Sequence, residues 1–325
     1  MSNQKQNLKS LIEGINMKNQ NKIVKDFYTK LDAIGYKGKI VSAKYLPELR
    51  HDVIKYHQQK QINLEFYEEY KSLFEFKPEV EFPQINSLFI VSVPVPQHEA
   101  IFHWKGKMIS LLIPPTYLYG RKIIDQMLEL VNGLLEPSGY KASHAYLPQK
   151  TLAVRSGLAE YGRNNISYVQ GMGSFHRLTT LYSDFPFEQD DWQDLKTMEM
   201  CKECSACVRK CPSGAISPDR FLLHVERCLT FHNEHTKEVP FPEWINPEWH
   251  NCVVGCLICQ NVCPANKKVK QWIEPGPEFS EEETEMILNG KEYNDLPSEV
   301  RQKIEKFDLI KYKEVLPRNL KSFFK

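Results

Sequence analysis

Cys201-Lys-Glu-Cys204-Ser-Ala-Cys207-Val-Arg-Lys-Cys211-Pro212 opens a block that closes on Cys256-Leu-Ile-Cys259-Gln-Asn-Val-Cys263-Pro264. With Cys228 and Cys252 between them, this block holds all nine cysteines of the chain. The first run has the C-x2-C-x2-C-x3-C-P spacing of a two-cluster ferredoxin, in which three close thiolates hold one cubane and the fourth, before proline, reaches the other. The second run is one cysteine shorter, and Cys228 supplies the missing thiolate. The expected sets are Cys201, Cys204, Cys207 and Cys263 for one [4Fe–4S] cluster, and Cys211, Cys228, Cys256 and Cys259 for the other. Cys252 is left as a plain buried or partly buried thiol. Zinc is the alternative for soft thiolates, but its sites pair two C-x2-C knuckles across a spacer, and the crowded first run would strand one thiolate.

The rest of the chain sets the frame. It has 325 residues, 42% hydrophobic and 26% charged, with a net charge of +1. This is ordinary globular composition, and so small a net charge gives no global field to recruit a polyanion. Confinement of the thiols to one block fits a reducing compartment better than a disulfide framework. The start, Met1-Ser2-Asn3-Gln4-Lys5-Gln6, shows no apolar signal segment, and no apolar run reaches the length of a membrane span. The expectation is a cytoplasmic protein with no membrane contact.

Apolar spacing predicts two helices within residues 1–35, one on Leu8, Leu11 and Ile12 and one on Ile23, Phe27 and Leu31. A short strand follows from Lys39, and a helix over 49–65. Residues 87–96 and 102–113 read as two buried strands of one sheet. Ile123, Ile124, Met127, Leu128, Val131 and Leu134 mark a helix stopped at Glu136-Pro137-Ser138-Gly139. Further expectations are a strand over 142–147, a short helix over 151–156, a hairpin of 166–169 with 178–182, and a helix over 219–228. An acidic linker, Asp190-Asp191-Trp192-Gln193-Asp194, precedes the cysteine block. The alternation implies an α/β or α+β domain over 1–195, a two-cluster ferredoxin-like domain over 196–270 and a helical extension over 271–325.

A second stretch narrows the function. Arg155-Ser-Gly-Leu-Ala-Glu-Tyr-Gly162-Arg163-Asn164-Asn165 is followed by Gly173-Ser174 and by Tyr182-Ser-Asp-Phe-Pro186. This order resembles the epoxyqueuosine reductases and their relatives, the cobalamin-dependent reductive dehalogenases, where an R-A-G-L-G-x-x-G-K-N segment precedes a G-S turn, a T-D-L-P strand end and two ferredoxin runs. The resemblance covers roughly residues 80–265. It implies a nitroreductase-like, cobalamin-binding α/β core docked on the clusters. Electrons would pass through both clusters to the corrin, and a protein acid would protonate the substrate. It also implies reduced ferredoxin or flavodoxin as donor, and tRNA or a corrinoid protein as a further partner. Gly157, Gly162, Arg163, Asn164, Gly173 and Ser174 are the cofactor-binding candidates, with Gly171 a further place for close backbone approach.

The chain departs from the family where the reductases carry their aspartate acid. Alignment on Arg155 puts Ser143 there, and alignment on Pro148 puts Ala145. Neither donates a proton near neutral pH. Arg163 stands in place of the usual lysine. Tyr146 and Tyr161 are therefore the catalytic candidates, near His144 and Lys150. His232, His235 and His250 are read as surface or capping residues, and Arg209-Lys210 as a solvated basic pair that also suits an acidic electron donor. The alternative to a substrate-reducing enzyme is an electron-transfer or corrinoid-reactivating protein without turnover of its own.

Overall fold

The computed structural model describes residues 2–82, 84–189 and 191–324, with backbone alone for residues 2–16 and Tyr70. Residues 2–33 form one continuous helix, Ser2–Ala33, where two were expected. Its described half docks through Ile23, Phe27 and Leu31, all buried. The side chains of Leu8, Leu11 and Ile12 lie outside the described residues.

The core is a four-stranded antiparallel sheet. In chain order the strands of the molecule are β1 (Lys37–Ser42), β2 (Ser87–Pro94), β3 (Gln97–Trp104), β4 (Lys107–Ile113), β5 (Ala142–His144), β6 (Glu160–Tyr161), β7 (Ser167–Tyr168), β8 (His176–Ser183) and β9 (Ile273–Phe279). The main sheet has the order β1-β2-β8-β5. β2 is central, and it is buried from Ser87 to Val93, its apolar residues interrupted only by Ser92. Alternation splits that run between two faces. Phe89, Val91 and Val93 join the Ser2–Ala33 helix and Ile123, Met127, Val131 and Leu135 of the helix Gly120–Leu135. Leu88 and Ile90 face Leu49 and the helix Gln149–Arg155, which contributes Leu152, Ala153 and Val154. The result is a mixed α+β sandwich with helices on both sheet faces. Each buried Phe, Leu or Ile contributes roughly 1.5–3 kcal/mol relative to exposure.

Several expectations are corrected. Residues 97–113 are a hairpin, not one strand, because Lys105 (φ 49°) and Gly106 (φ 71°) make a tight turn between β3 and β4. Nor do β3 and β4 join β2; the prolines at 94 and 96 end that strand and the chain leaves for a second sheet, β4-β3-β9. β7 and β8 form no hairpin with each other: β7 pairs with β6, and β8 lies between β2 and β5. The helix expected over 219–228 is reduced to a single 3-10 turn, Val225–Arg227. The tail expected to be helical begins with β9, parallel to β3. It then adds the helices Glu281–Leu288, Ser298–Lys306 and Leu316–Lys321, which bury Ile287, Val300, Ile304 and Leu320 in the same core as Phe27 and Phe89.

The acidic stretch before the cysteines is packed. Trp192 stacks on Tyr45 with centroids 4.6 Å apart, and the Gln193 amide donates to the Arg155 carbonyl at 2.8 Å. From there the chain runs through short turns until β9. It is stitched to the core where the Val253 amide donates to the Leu112 carbonyl at 3.0 Å, and where Gln97 Nε2 donates to the Lys270 carbonyl at 2.8 Å.

Candidate functional site

The cysteines gather around two cavities. Cys201, Cys204, Cys207 and Cys263 line a small one together with Gly162, Arg163, Asn164 and Pro264. Cys211, Cys228, Cys256 and Cys259 line a second, of about 330 Å³. Each helical or 3-10 turn supplies its thiols at close spacing: Glu199–Cys201 and Ala206–Lys210 for the first run, Ile258–Asn261 for the second. Pro212 and Pro264 end those turns and aim Cys211 and Cys263 across to the opposite set. Among the described residues no three His, Cys, Asp or Glu side chains converge closely enough to hold a single ion. A tetrahedral zinc would draw its sulfurs to about 3.8 Å of one another. Two cavities each lined by four cysteines offer the ligand number of two cubanes, in which each thiolate takes a different iron.

Burial raises the thiols of Cys201, Cys207, Cys228, Cys256 and Cys259. It pushes Cys228 up to about 11, with the neighbouring Cys256 adding to the rise, and lifts Cys259 well above its ordinary value. Metal ligation replaces those protons, so binding is coupled to proton release. Polar neighbours are in place to support the thiolates. Asn251 Nδ2 donates to Cys256 Sγ at 3.3 Å, and Ser213 Oγ lies 3.5 Å from Cys211 Sγ. Hydrogen bonds to sulfur tune the potential of a cluster. Cys252 belongs to neither set. It is buried against Phe175 and Leu257, and its thiol donates to Asn251 Oδ1 at 3.1 Å.

Two of the six cofactor-binding candidates, Arg163 and Ser174, bond to the cysteine loops. The Arg163 guanidinium donates to the carbonyls of Cys201, Cys204 and Pro218. Asn164 Nδ2 donates to Tyr168 Oη at 2.9 Å. The Ser174 hydroxyl donates to Gln260 Oε1 at 2.8 Å, and its amide to Asn266 Oδ1 at 2.9 Å. The space beside the glycines is filled by protein. A β-carbon on Gly157 would lie 2.3 Å from Gln193 Nε2, one on Gly162 2.5 Å from the Tyr168 ring, and one on Gly173 2.2 Å from Asn266 Oδ1. Gly171 has open space around it but lines neither cysteine cavity. Gly173 also has a φ of 58°. Gly173→Ala is thus expected to cost roughly 1–3 kcal/mol and to weaken iron retention, because Asn266 anchors the loop after Cys263. Thermal unfolding and iron content of the variant check this; a stable, fully loaded Gly173→Ala protein contradicts it.

The thiol cavity of Cys228 continues into a wider one of about 540 Å³. Phe66, Thr116, Lys150, Leu223 and Val225 line both. Its walls carry the flat rings of Tyr56, Tyr67, Phe74 and Phe221, with Thr151 and Tyr161 deeper in. The catalytic candidates separate here. Tyr161 is buried, lines this cavity, and its hydroxyl lies 3.1 Å from Thr151 Oγ1; burial raises it, so it stays a neutral phenol. Tyr146 is 54% exposed, packs edge-on against His144 and lines neither cavity. Ser143 and Ala145 also stay in the sheet region: Ser143 pairs with Tyr182, and the Ala145 amide donates to the Thr180 carbonyl.

Sequence reasoning gave Lys150 no role. Its stem follows Pro148 on the first turn of the helix Gln149–Arg155, which turns the ammonium into the cavity. There it is ringed by protein yet reachable by solvent, donates to the Asn165 carbonyl at 3.1 Å, and is lowered chiefly by desolvation. His232 and His250 are buried rather than superficial, while His235 lies 3.5 Å from Glu65. Arg209 and Lys210 are exposed, as a solvated pair should be.

Comparison with known proteins gives likenesses of domain, sequence and fold. The family model for the 4Fe-4S double cluster binding domain matches residues 200–266. Epoxyqueuosine reductase of Cyclobacterium marinum is 31% identical over 160 residues, covering 46% of this chain and 50% of that protein. The Pseudomonas aeruginosa enzyme is 32% identical over 45% of this chain and 40% of its own length. The chain therefore spans half or less of the length of these curated relatives. In fold the likeness is broader. An epoxyqueuosine reductase solved with an epoxyqueuosine-modified tRNA-Tyr stem loop superposes with a TM-score of 0.63 at 19% identity, covering 92% of this chain and 80% of that one. The Bacillus subtilis enzyme gives 0.62 at 19% identity, over 94% of this chain and 80% of that one. No helix among the described residues is long and apolar enough to cross a membrane. With its two thiol quartets, its sandwich and these likenesses together, the chain is an epoxyqueuosine reductase-like iron–sulfur protein carrying a double [4Fe–4S] domain.

Proposed function

We propose that this protein is a reductase in which Cys201, Cys204, Cys207 and Cys263 hold one [4Fe–4S] cluster, Cys211, Cys228, Cys256 and Cys259 hold the other, and a corrinoid sits in the aromatic cavity beside the second set. The observation that carries the reading is the shared wall: the Cys228 cavity and the 540 Å³ cavity meet through Phe66, Thr116, Lys150, Leu223 and Val225. Flat, mostly apolar walls of this extent suit a large planar ligand. Bound there, a corrinoid would supply a strong reductant for chemistry that clusters carrying single electrons do not perform alone.

The chain's own residues exclude water with rings, place the Lys150 amine between the two cavities, and keep a proton on Tyr161 at the cavity wall. Relatives of this fold reduce epoxyqueuosine by name, and one was solved with the modified tRNA stem loop. Epoxyqueuosine in tRNA is therefore the substrate to test first.

Anaerobic reconstitution with iron, sulfide and cobalamin is expected to give a protein with a stoichiometric amount of corrin. Tyr161→Phe is expected to keep iron and corrin and to lose about 10²-fold in turnover, the usual loss for a positioned proton donor. Failure of the iron-loaded protein to take up corrin would remove the corrinoid from the reading.

A second reading is a carrier that hands electrons to a partner. Ser143 and Ala145, both without an acid at the family's aspartate position, favour it. It predicts full iron, no turnover of epoxyqueuosine in tRNA, and reduction of a corrinoid protein added in trans.

A further inference from the structure

The opposite flank of the cysteine region holds a different kind of surface. An open cleft of about 1020 Å³ runs between β1, residues 157–160 and 168–173, and the loop after Cys263. Five lysines line it, Lys37, Lys39, Lys196, Lys267 and Lys268, against the carboxylates Asp32 and Glu160. Lys39 is paired with Asp191 at 2.8 Å. Among the described residues, Lys37, Lys196, Lys267 and Lys268 form no ion pair, and the last three are exposed. The protein as a whole is near neutral, with a net charge of +1, so this concentration of one sign is local.

The floor of the cleft is the back wall of the first thiol quartet. Tyr168, Met198, Pro264 and Ala265 line the cleft. Tyr168 and Met198 pack directly on Cys201, with Cys263 and Ala265 against them, and Pro264 also lines the quartet's own cavity. One layer of side chains thus separates the cleft from Cys201 and Cys263. The aromatic cavity adjoins the other quartet, so the two ends of the cysteine region face different surroundings.

From the cleft and its floor we infer that this lysine-lined surface docks a small acidic protein that carries single electrons, and that electrons enter here at the Cys201/Cys204/Cys207/Cys263 cluster. The inference rests on the two-cluster reading above and adds the place where an acidic electron donor makes contact. A concave surface of one sign focuses the field and raises the association rate of an oppositely charged partner by about 10- to 10³-fold, an effect that salt screens. The step balances as a one-electron exchange: the carrier is oxidised by one electron and the cluster reduced by one, with no bond made or broken.

The test uses the reconstituted full chain, a chemically reduced acidic ferredoxin as the probe, and dithionite as a small reductant that needs no docking. Lys267→Glu/Lys268→Glu is expected to slow cluster reduction by ferredoxin at least tenfold and to flatten its dependence on salt, leaving reduction by dithionite unchanged. Lys122→Glu, on the exposed face of the helix Gly120–Leu135, is expected to behave as the parent protein. Equal ferredoxin rates in the parent and the double variant would overturn the docking site, as would an equal loss in Lys122→Glu. Loss of affinity for a tRNA stem loop in the double variant, with ferredoxin reduction intact, would overturn it in favour of an RNA-binding face. A protein that takes up neither iron nor sulfide would overturn the two-cluster reading and this inference together, and is told apart by metal analysis before any rate is measured.

Discussion

Replacing Cys228 by serine is expected to remove about half of the iron and acid-labile sulfide of the reconstituted protein and all transfer of electrons to the aromatic cavity. Cys228 and Cys252 both lie between the two runs, and the sequence reading makes Cys228 the ligand. Their surroundings distinguish them. Cys228 opens the helix Leu229–Glu234 and lines one cavity with Cys211, Cys256 and Cys259, whereas Cys252 is packed on Phe175 and Leu257 and bonded to Asn251. Cys252→Ser is expected to keep full iron and to cost only the polar burial of one hydroxyl, about 1–3 kcal/mol at most. Iron and sulfide analysis with anaerobic electron paramagnetic resonance reads both variants. Full iron in Cys228→Ser, or half in Cys252→Ser, would overturn the ligand assignment.

The second large effect is on stability. Asp52→Ala is expected to destabilise the protein by roughly 1.5–3 kcal/mol, the cost of losing charge-assisted hydrogen bonds from a guanidinium left with only the more exposed Glu48 and Asp194 as ion partners. The Arg155 guanidinium grips Asp52 through two bonds, Nε to Oδ2 at 2.9 Å and a terminal nitrogen to Oδ1 at 2.8 Å, with both side chains almost wholly buried. It also donates to the Gln193 carbonyl at 3.1 Å and lies 3.0 Å from Glu48. The hydrogen bonds to Asp52 are the main reason its pKa is raised. One side chain therefore fastens the helix that carries Lys150 and Thr151 to the helix Leu46–Gln58 and to the irregular segment leading into the cysteines. The double replacement Arg155→Met/Asp52→Leu is expected to lose less than Asp52→Ala, since it removes both charges together. Thermal melts of the single and double variants decide this: additive losses would show that the pair is not coupled.

Much of this molecule could be read from its residues, for identifiable reasons. Cluster ligation requires thiols at fixed short spacings, so both quartets stand out in one dimension. The helix Gly120–Leu135 was equally plain, because its apolar positions repeat at the helical period and Gly139 ends it. β9 was not readable. Ile273-Glu-Pro-Gly-Pro-Glu-Phe279 carries two prolines and a glycine, and it becomes a strand only because an edge position beside β3 needs few of its amides. The pairing of β8 was hidden for a similar reason: its partners come from residues 87–94 and 142–144, and nothing local specifies them. The role of Arg163 was also concealed. Its place in the motif suggested a cofactor, while its guanidinium is used on three carbonyls of the chain.

The parallel pairing of β9 with β3 has a consequence for any attempt to divide the molecule. The cysteine region leaves the sandwich after β8 and comes back to it at β9, so both of its ends are anchored in one core. Excising residues 200–266 would free two tethered ends and take Val253 and Val254 out of the core they share with Phe279, Ile287 and Leu320. Shortening the chain after residue 266 would open the flank of β3 to solvent and expose an unpaired edge to neighbouring molecules. The unit that folds as one piece is therefore longer than the segment that carries the cysteines.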